Sequence, residues 1–149
     1  MRGITEAEAY NELTGYTLML RDEAFVHQHV VDAWMAQHAD ETTKPIGLTF
    51  ALIGLYLHVE RGFSGRQVQQ AHMTLGRRRR AWPRFPLPAD RGSITAVDVI
   101  AAAPGAARNQ AIDAWASSTW RAFQDSRGAV AGLLAEYGID GDRRARDGS

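Results

Sequence analysis

The 149-residue chain contains no cysteine. Disulfides, thiolate zinc sites, iron–sulfur clusters and a cysteine nucleophile are thereby excluded, and any metal would need nitrogen and oxygen ligands. Long apolar runs are missing as well: the greasiest stretch, Ile46 to Leu57, is too short to span a membrane. The opening Met1-Arg2-Gly3-Ile4-Thr5-Glu6 has no apolar signal segment, so the expected location is cytoplasmic, with no membrane partner. There is no excess charge of either sign, since 17 Lys and Arg balance 17 Asp and Glu. A neutral total without a recognition-helix motif argues against nucleic acid as the main partner. Neither a Gly-x-Ser-x-Gly elbow nor a Gly-x-x-x-x-Gly-Lys-Ser/Thr phosphate loop occurs, which sets aside two common routes to hydrolysis and nucleotide binding.

What is present is ordinary globular composition, 45% hydrophobic and 23% charged, in a chain of one-domain length without internal repeats. The charge is unevenly spread. Residues 1–41 carry Arg2 and Arg21 against eight carboxylates, whereas 61–91 carry eight arginines opposed only by Asp90. The two segments could neutralise each other by packing together, or Arg77-Arg78-Arg79-Arg80, with Trp82 and Phe85 nearby, could form an anion-binding surface.

Periodicity points to helices throughout. Thr5 with Glu8 has capping-box spacing and opens a helix to about Leu20; Asp22 is placed to cap a second, Glu23 to about Ala39, with Val26, Val30 and Trp34 on its buried face. Pro45 starts a third helix that is apolar on all sides, and Ser64 with Gln67 caps a fourth that fades near Arg80. Pro83, Pro86 and Pro88 force an extended crossover. A short helix from Thr95 stops at Pro104-Gly105; a longer one carries Ile112, Trp115, Trp120 and Phe123; a last one ends at Gly138. The expectation is an all-α, single-domain bundle of about six helices over residues 5–138, with a Pro-rich crossover and a disordered charged tail over 139–149.

The stretch from Asp22 through His27-Gln28-His29 and Asp32 to Gln37-His38 resembles an uncharacterised bacterial family of small helical proteins, a domain of unknown function. The likeness extends through Gly54-Leu55-Tyr56-Leu57, Glu60-Arg61-Gly62 and Gln69-Gln70-Ala71-His72-Met73 to Trp82-Pro83. The resemblance implies a helical fold and positions to examine, but no reaction. A cysteine-rich knuckle associated with some relatives has no counterpart in this chain.

Five histidines, His27, His29, His38, His58 and His72, lie in or beside these helices. Imidazole and carboxylate suit zinc, iron or manganese. His27 and His38 sit eleven residues apart on one helix, about 16 Å, too far to share an ion. His29 and Asp32 fall outside the expected buried face of the second helix. His27, His58 and His72, on three separate helices, could converge in a bundle core as metal ligands, with Glu60 or Asp32 as a further ligand or general base and Arg66 holding an anionic small-molecule substrate. That arrangement would suit a divalent-metal-dependent hydrolase or oxidoreductase. The alternative is a non-enzymatic interaction module: structural core histidines, Glu60 paired with Arg61 or Arg66, the arginine segment contacting an acidic partner or nucleic acid, and homodimerisation through a leftover apolar face.

Overall fold

The computed structural model describes residues 3–139. Seven α-helices occur among them: α1 (Glu6–Leu20), α2 (His27–His38), α3 (Pro45–Arg61), α4 (Gly65–Arg78), α5 (Ala96–Ala101), α6 (Ala106–Ala122) and α7 (Arg127–Glu136). The fold is all-α and single-domain, with no strand among the described residues. Of the charged tail expected over 139–149, Ile139 is described and is instead buried, its amide donating to the Leu134 carbonyl at 2.9 Å; the remainder lies outside the described residues. Among the described residues no helix is long and apolar enough to cross a membrane.

Local chemistry explains most helix starts. Thr5 with Glu8, Ser64 with Gln67 and Thr95 with Asp98 each form a reciprocal capping box, satisfying amide hydrogens that would otherwise lack partners. Pro45 stands in the first turn of α3, where its missing N–H costs nothing, and Gly62 ends that helix in the left-handed conformation at φ 71°. The start of α2 departs from expectation. Phe25 adopts φ 54°, Asp22 Oδ2 accepts from the Val26 amide, and regular helix begins at His27 instead of Glu23. A tertiary contact competes with helix here: the Ala24 carbonyl accepts from the Arg66 amide at 3.0 Å, so the Ala24-Phe25 backbone is committed to the start of α4.

Helix α3 runs through the centre, with an unbroken buried stretch from Ala51 to Leu57, and α2, α4, α6 and α7 pack around it. Trp115, Trp120 and Phe123 are almost completely buried, so this aromatic stripe is core. Truncating any of the three to alanine would cost about 3–5 kcal/mol. The crossover between Arg79 and Thr95 is irregular but pinned. Phe85 is buried, Trp82 stands edge-on to Phe50, and Arg91 donates to the carbonyls of Ala36 and Gln37 at the end of α2. Gln37 completes the junction, donating through Nε2 to Ile94 O and accepting from Trp115 Nε1 at 2.9 Å.

Candidate functional site

The polar interior gathers where α2, α3 and α6 meet. His29 and Asp32, one turn apart on α2, are only 4% and 3% exposed, which reverses the expectation that they face solvent. Because α1, α3 and α6 all press on α2, its burial extends well beyond a single apolar stripe. The His29 ring stacks on His58 of α3, centroids 3.4 Å apart and planes inclined by 17°. His58 Nε2 lies 2.8 Å from Asp113 Oδ1 of α6, and its Nδ1 lies 3.0 Å from the Phe63 carbonyl. Both ring nitrogens therefore face protein oxygens. Asp113 sits at the rim, with its side chain 62% exposed, and contact with His58 holds its carboxyl below the usual range.

Beneath this pair Asp32 accepts from Gln28 Nε2 at 3.0 Å through Oδ1, while Oδ2 is buried without a partner. The carboxyl fits because α3 offers Gly54 there; a Cβ on Gly54 would stand 1.8 Å from Asp32 Oδ2. Burial drives the Asp32 pKa well above the ordinary value and favours the neutral acid. Burial, with the neighbouring His58 charge second, pushes His29 down to about 3, and its Nδ1 also lacks a partner.

The other residues singled out from the sequence are dispersed. His27 Nδ1 contacts Thr17 Oγ1 of α1 at 2.8 Å, and burial lowers its pKa. His72 donates through Nε2 to the Phe50 carbonyl at 2.8 Å and stacks on the Phe50 ring; burial pushes it down to about 4. His27, His58 and His72 thus have separate partners and do not converge. Among the described residues no group of three or more His, Asp or Glu side chains is placed to hold a metal ion. Glu60 is clamped elsewhere: Trp120 Nε1 donates to it at 2.6 Å, and Arg127 reaches both carboxylate oxygens at 2.7–2.9 Å. Arg127 holds its pKa below the usual carboxylate value, which disfavours a general-base role. Its partner is Arg127, not Arg61 or Arg66. Arg61 donates to the Tyr56 hydroxyl, and Arg66 lies exposed with its guanidinium 5.1 Å from the Phe25 ring centre.

The arginine run is divided by these contacts. Arg79 pairs with Glu136 at 3.1 Å, and Arg78 lies over Tyr137, whereas Arg77, Arg80 and Arg84 are exposed. Asp113, Arg91 and Arg127 escaped sequence reasoning. Their partners are 54 to 67 residues away, and no local spacing signals such pairings.

The positions surrounding this interior fall within residues 7–124, which match the family described as Family of unknown function (DUF5946). The chain belongs to this family. The DUF5946 match takes in α1 to α6 and ends just before α7, so the Glu60–Arg127 clamp ties the matched span to the helix beyond it. No curated protein and no solved structure matches the chain.

Proposed function

We propose that this DUF5946 chain is a non-enzymatic interaction module whose buried histidines are structural and whose arginine surface docks an acidic protein segment. The observation that carries the reading is a contrast in how polar groups are used. His27, His58, His72 and Glu60 are each engaged by a packing partner, while Arg77, Arg80 and Arg84 are exposed in the segment that carries Trp82. Residues 77–84 hold five arginines and no carboxylate, a local field that the neutral total conceals. Trp82, held edge-on to Phe50, offers an apolar anchor next to those charges.

An oligoglutamate peptide is the probe, with a single-stranded oligonucleotide as comparison. The peptide is expected to bind, to weaken steeply with salt, and to lose at least about tenfold in affinity when Arg77, Arg80 and Arg84 are replaced together by glutamine. Binding that ignores these replacements would contradict the reading, and tighter binding of the oligonucleotide would reassign the partner. Stoichiometric zinc, iron or manganese retained by protein purified without a metal column would return the function to the histidines and to metal-dependent hydrolysis or oxidation.

A further inference from the structure

A separate cleft lies between the later part of the crossover, residues 88–93, and α6, and none of the arginines of the 77–84 run lines it. Its volume is about 440 Å³, and its lining includes Asp90, Gly92 and Ser93 from the crossover and Ser118 and Arg121 from α6. That is the size range of small-molecule sites. Gly92 adopts φ +93°, and a Cβ there would stand 2.6 Å from Ser118 Oγ and 3.0 Å from the Ser118 carbonyl. Glycine therefore lets the crossover backbone touch α6 in the cleft wall. Asp90 is fixed on the same turn, its Oδ1 accepting from the Gly92 amide at 2.8 Å.

The charges in the cleft are arranged unusually. Asp90 and Arg121 line the same space, yet neither belongs to the ion pairs formed among the described residues. Two opposite charges sharing a cleft without neutralising one another complement a ligand that carries both signs. Arg121, with Ser93 and Ser118 in the same lining, supplies donors for a carboxylate; Asp90 supplies an acceptor for an ammonium group. We infer that this cleft binds a small zwitterion of the amino-acid class, carboxylate toward Arg121 and ammonium toward Asp90. A simple anion would meet the Asp90 charge, and a simple cation that of Arg121, so each alone would be disfavoured.

The test uses the full chain and amide chemical-shift titration with glycine, β-alanine and γ-aminobutyrate, which differ in the distance between their charges. Acetate and methylammonium serve as single-charge controls. At least one zwitterion is expected to saturate shifts at Gly92 and Ser118 in the millimolar range, with each control weaker by about tenfold or more. Arg121→Gln should weaken the zwitterion by about tenfold, the size of one charge-assisted contact, and Asp90→Asn should abolish the preference over acetate. Both side chains are exposed, so an unchanged melting curve will show that the variants fold. No saturable shift with any of the three zwitterions up to about 50 mM, or acetate binding as tightly as they do, would overturn the inference.

Discussion

Gly65→Ala is expected to be among the most damaging single-methyl additions to this protein, lowering stability by about 3 kcal/mol and the melting midpoint by roughly 10 °C. A Cβ at this position would lie 1.7 Å from the Phe25 carbonyl oxygen, 2.7 Å from its carbon and 3.0 Å from the Ala24 carbonyl oxygen. These are main-chain atoms, so no rotamer change relieves the clash. Phe25 already sits at φ 54°, and the Ala24 carbonyl is bonded to the Arg66 amide. Moving the loop away would break that bond and disturb the start of α2. Gly15→Ala in α1 is the control: nothing lies within 4 Å of its added methyl, and the gain in helix propensity should stabilise by up to about 1 kcal/mol. Thermal melting of the two variants distinguishes a steric requirement from a general intolerance of alanine. A Gly65→Ala protein melting with the wild type would refute the close approach of α4 to the Ala24-Phe25 turn.

Removing the Asp32 carboxylate is expected to steepen the loss of stability as acid is added. Between pH 6.5 and 5 the unfolded chain protonates its histidines, but the buried rings of His29 and His72, with pKa values of about 3 and 4, do not follow in the native state. Their contribution is complete above the unfolded imidazole pKa and is lost as the pH falls, at up to about 1.4 kcal/mol per pH unit for each ring. His27, lowered by burial, acts in the same direction to a smaller extent. Asp32 acts oppositely. Its raised pKa keeps the native carboxyl protonated while the unfolded one is ionised above 3.8, so its contribution is complete below 3.8 and is lost as the pH rises toward the native value. Asp113 and Glu60, both lowered, respond to acid only below the ordinary carboxylate range and leave this window alone.

In the wild type, Asp32 therefore works against the two buried imidazoles, and the net slope is shallower than their sum of up to about 2.8 kcal/mol per pH unit. Asp32→Asn removes the opposing contribution and should steepen the slope toward that sum; His72→Gln should make it shallower than in the wild type. Urea denaturation across pH 5 to 6.5 measures all three. Parallel profiles for the wild type and Asp32→Asn would mean that Asp32 is ionised in the native state, contrary to its unpartnered Oδ2 and its packing against Gly54.

The parts of this fold that were readable in sequence are those decided within four residues. Thr5, Ser64 and Thr95 open their helices with the capping boxes their spacing announces, Pro45 and Gly62 bound α3, and the Trp115-Trp120-Phe123 stripe is core. What was not readable depends on distant partners. The delayed start of α2 follows from the bond of the Ala24 carbonyl to the Arg66 amide, for which Gly65 leaves room, and the burial of His29 and Asp32 from the helices surrounding α2. Glu60 meets Arg127 across 67 residues. The five histidines were legible as unusual, but their roles were not. An imidazole looks the same in sequence whether it turns toward an ion, a threonine hydroxyl as in His27, or a carbonyl as in His72.

Side-chain nitrogen NMR of the histidines across pH 5 to 8, with and without equimolar zinc, tests most directly whether the interior imidazoles serve packing. His29 and His72 are predicted to keep the neutral-ring signature down to pH 5, and the signals of His27, His58 and His72 to be unmoved by zinc. Titration of His29 and His72 near the ordinary value of about 6.5, or a joint zinc-dependent shift of His27, His58 and His72, would contradict the account.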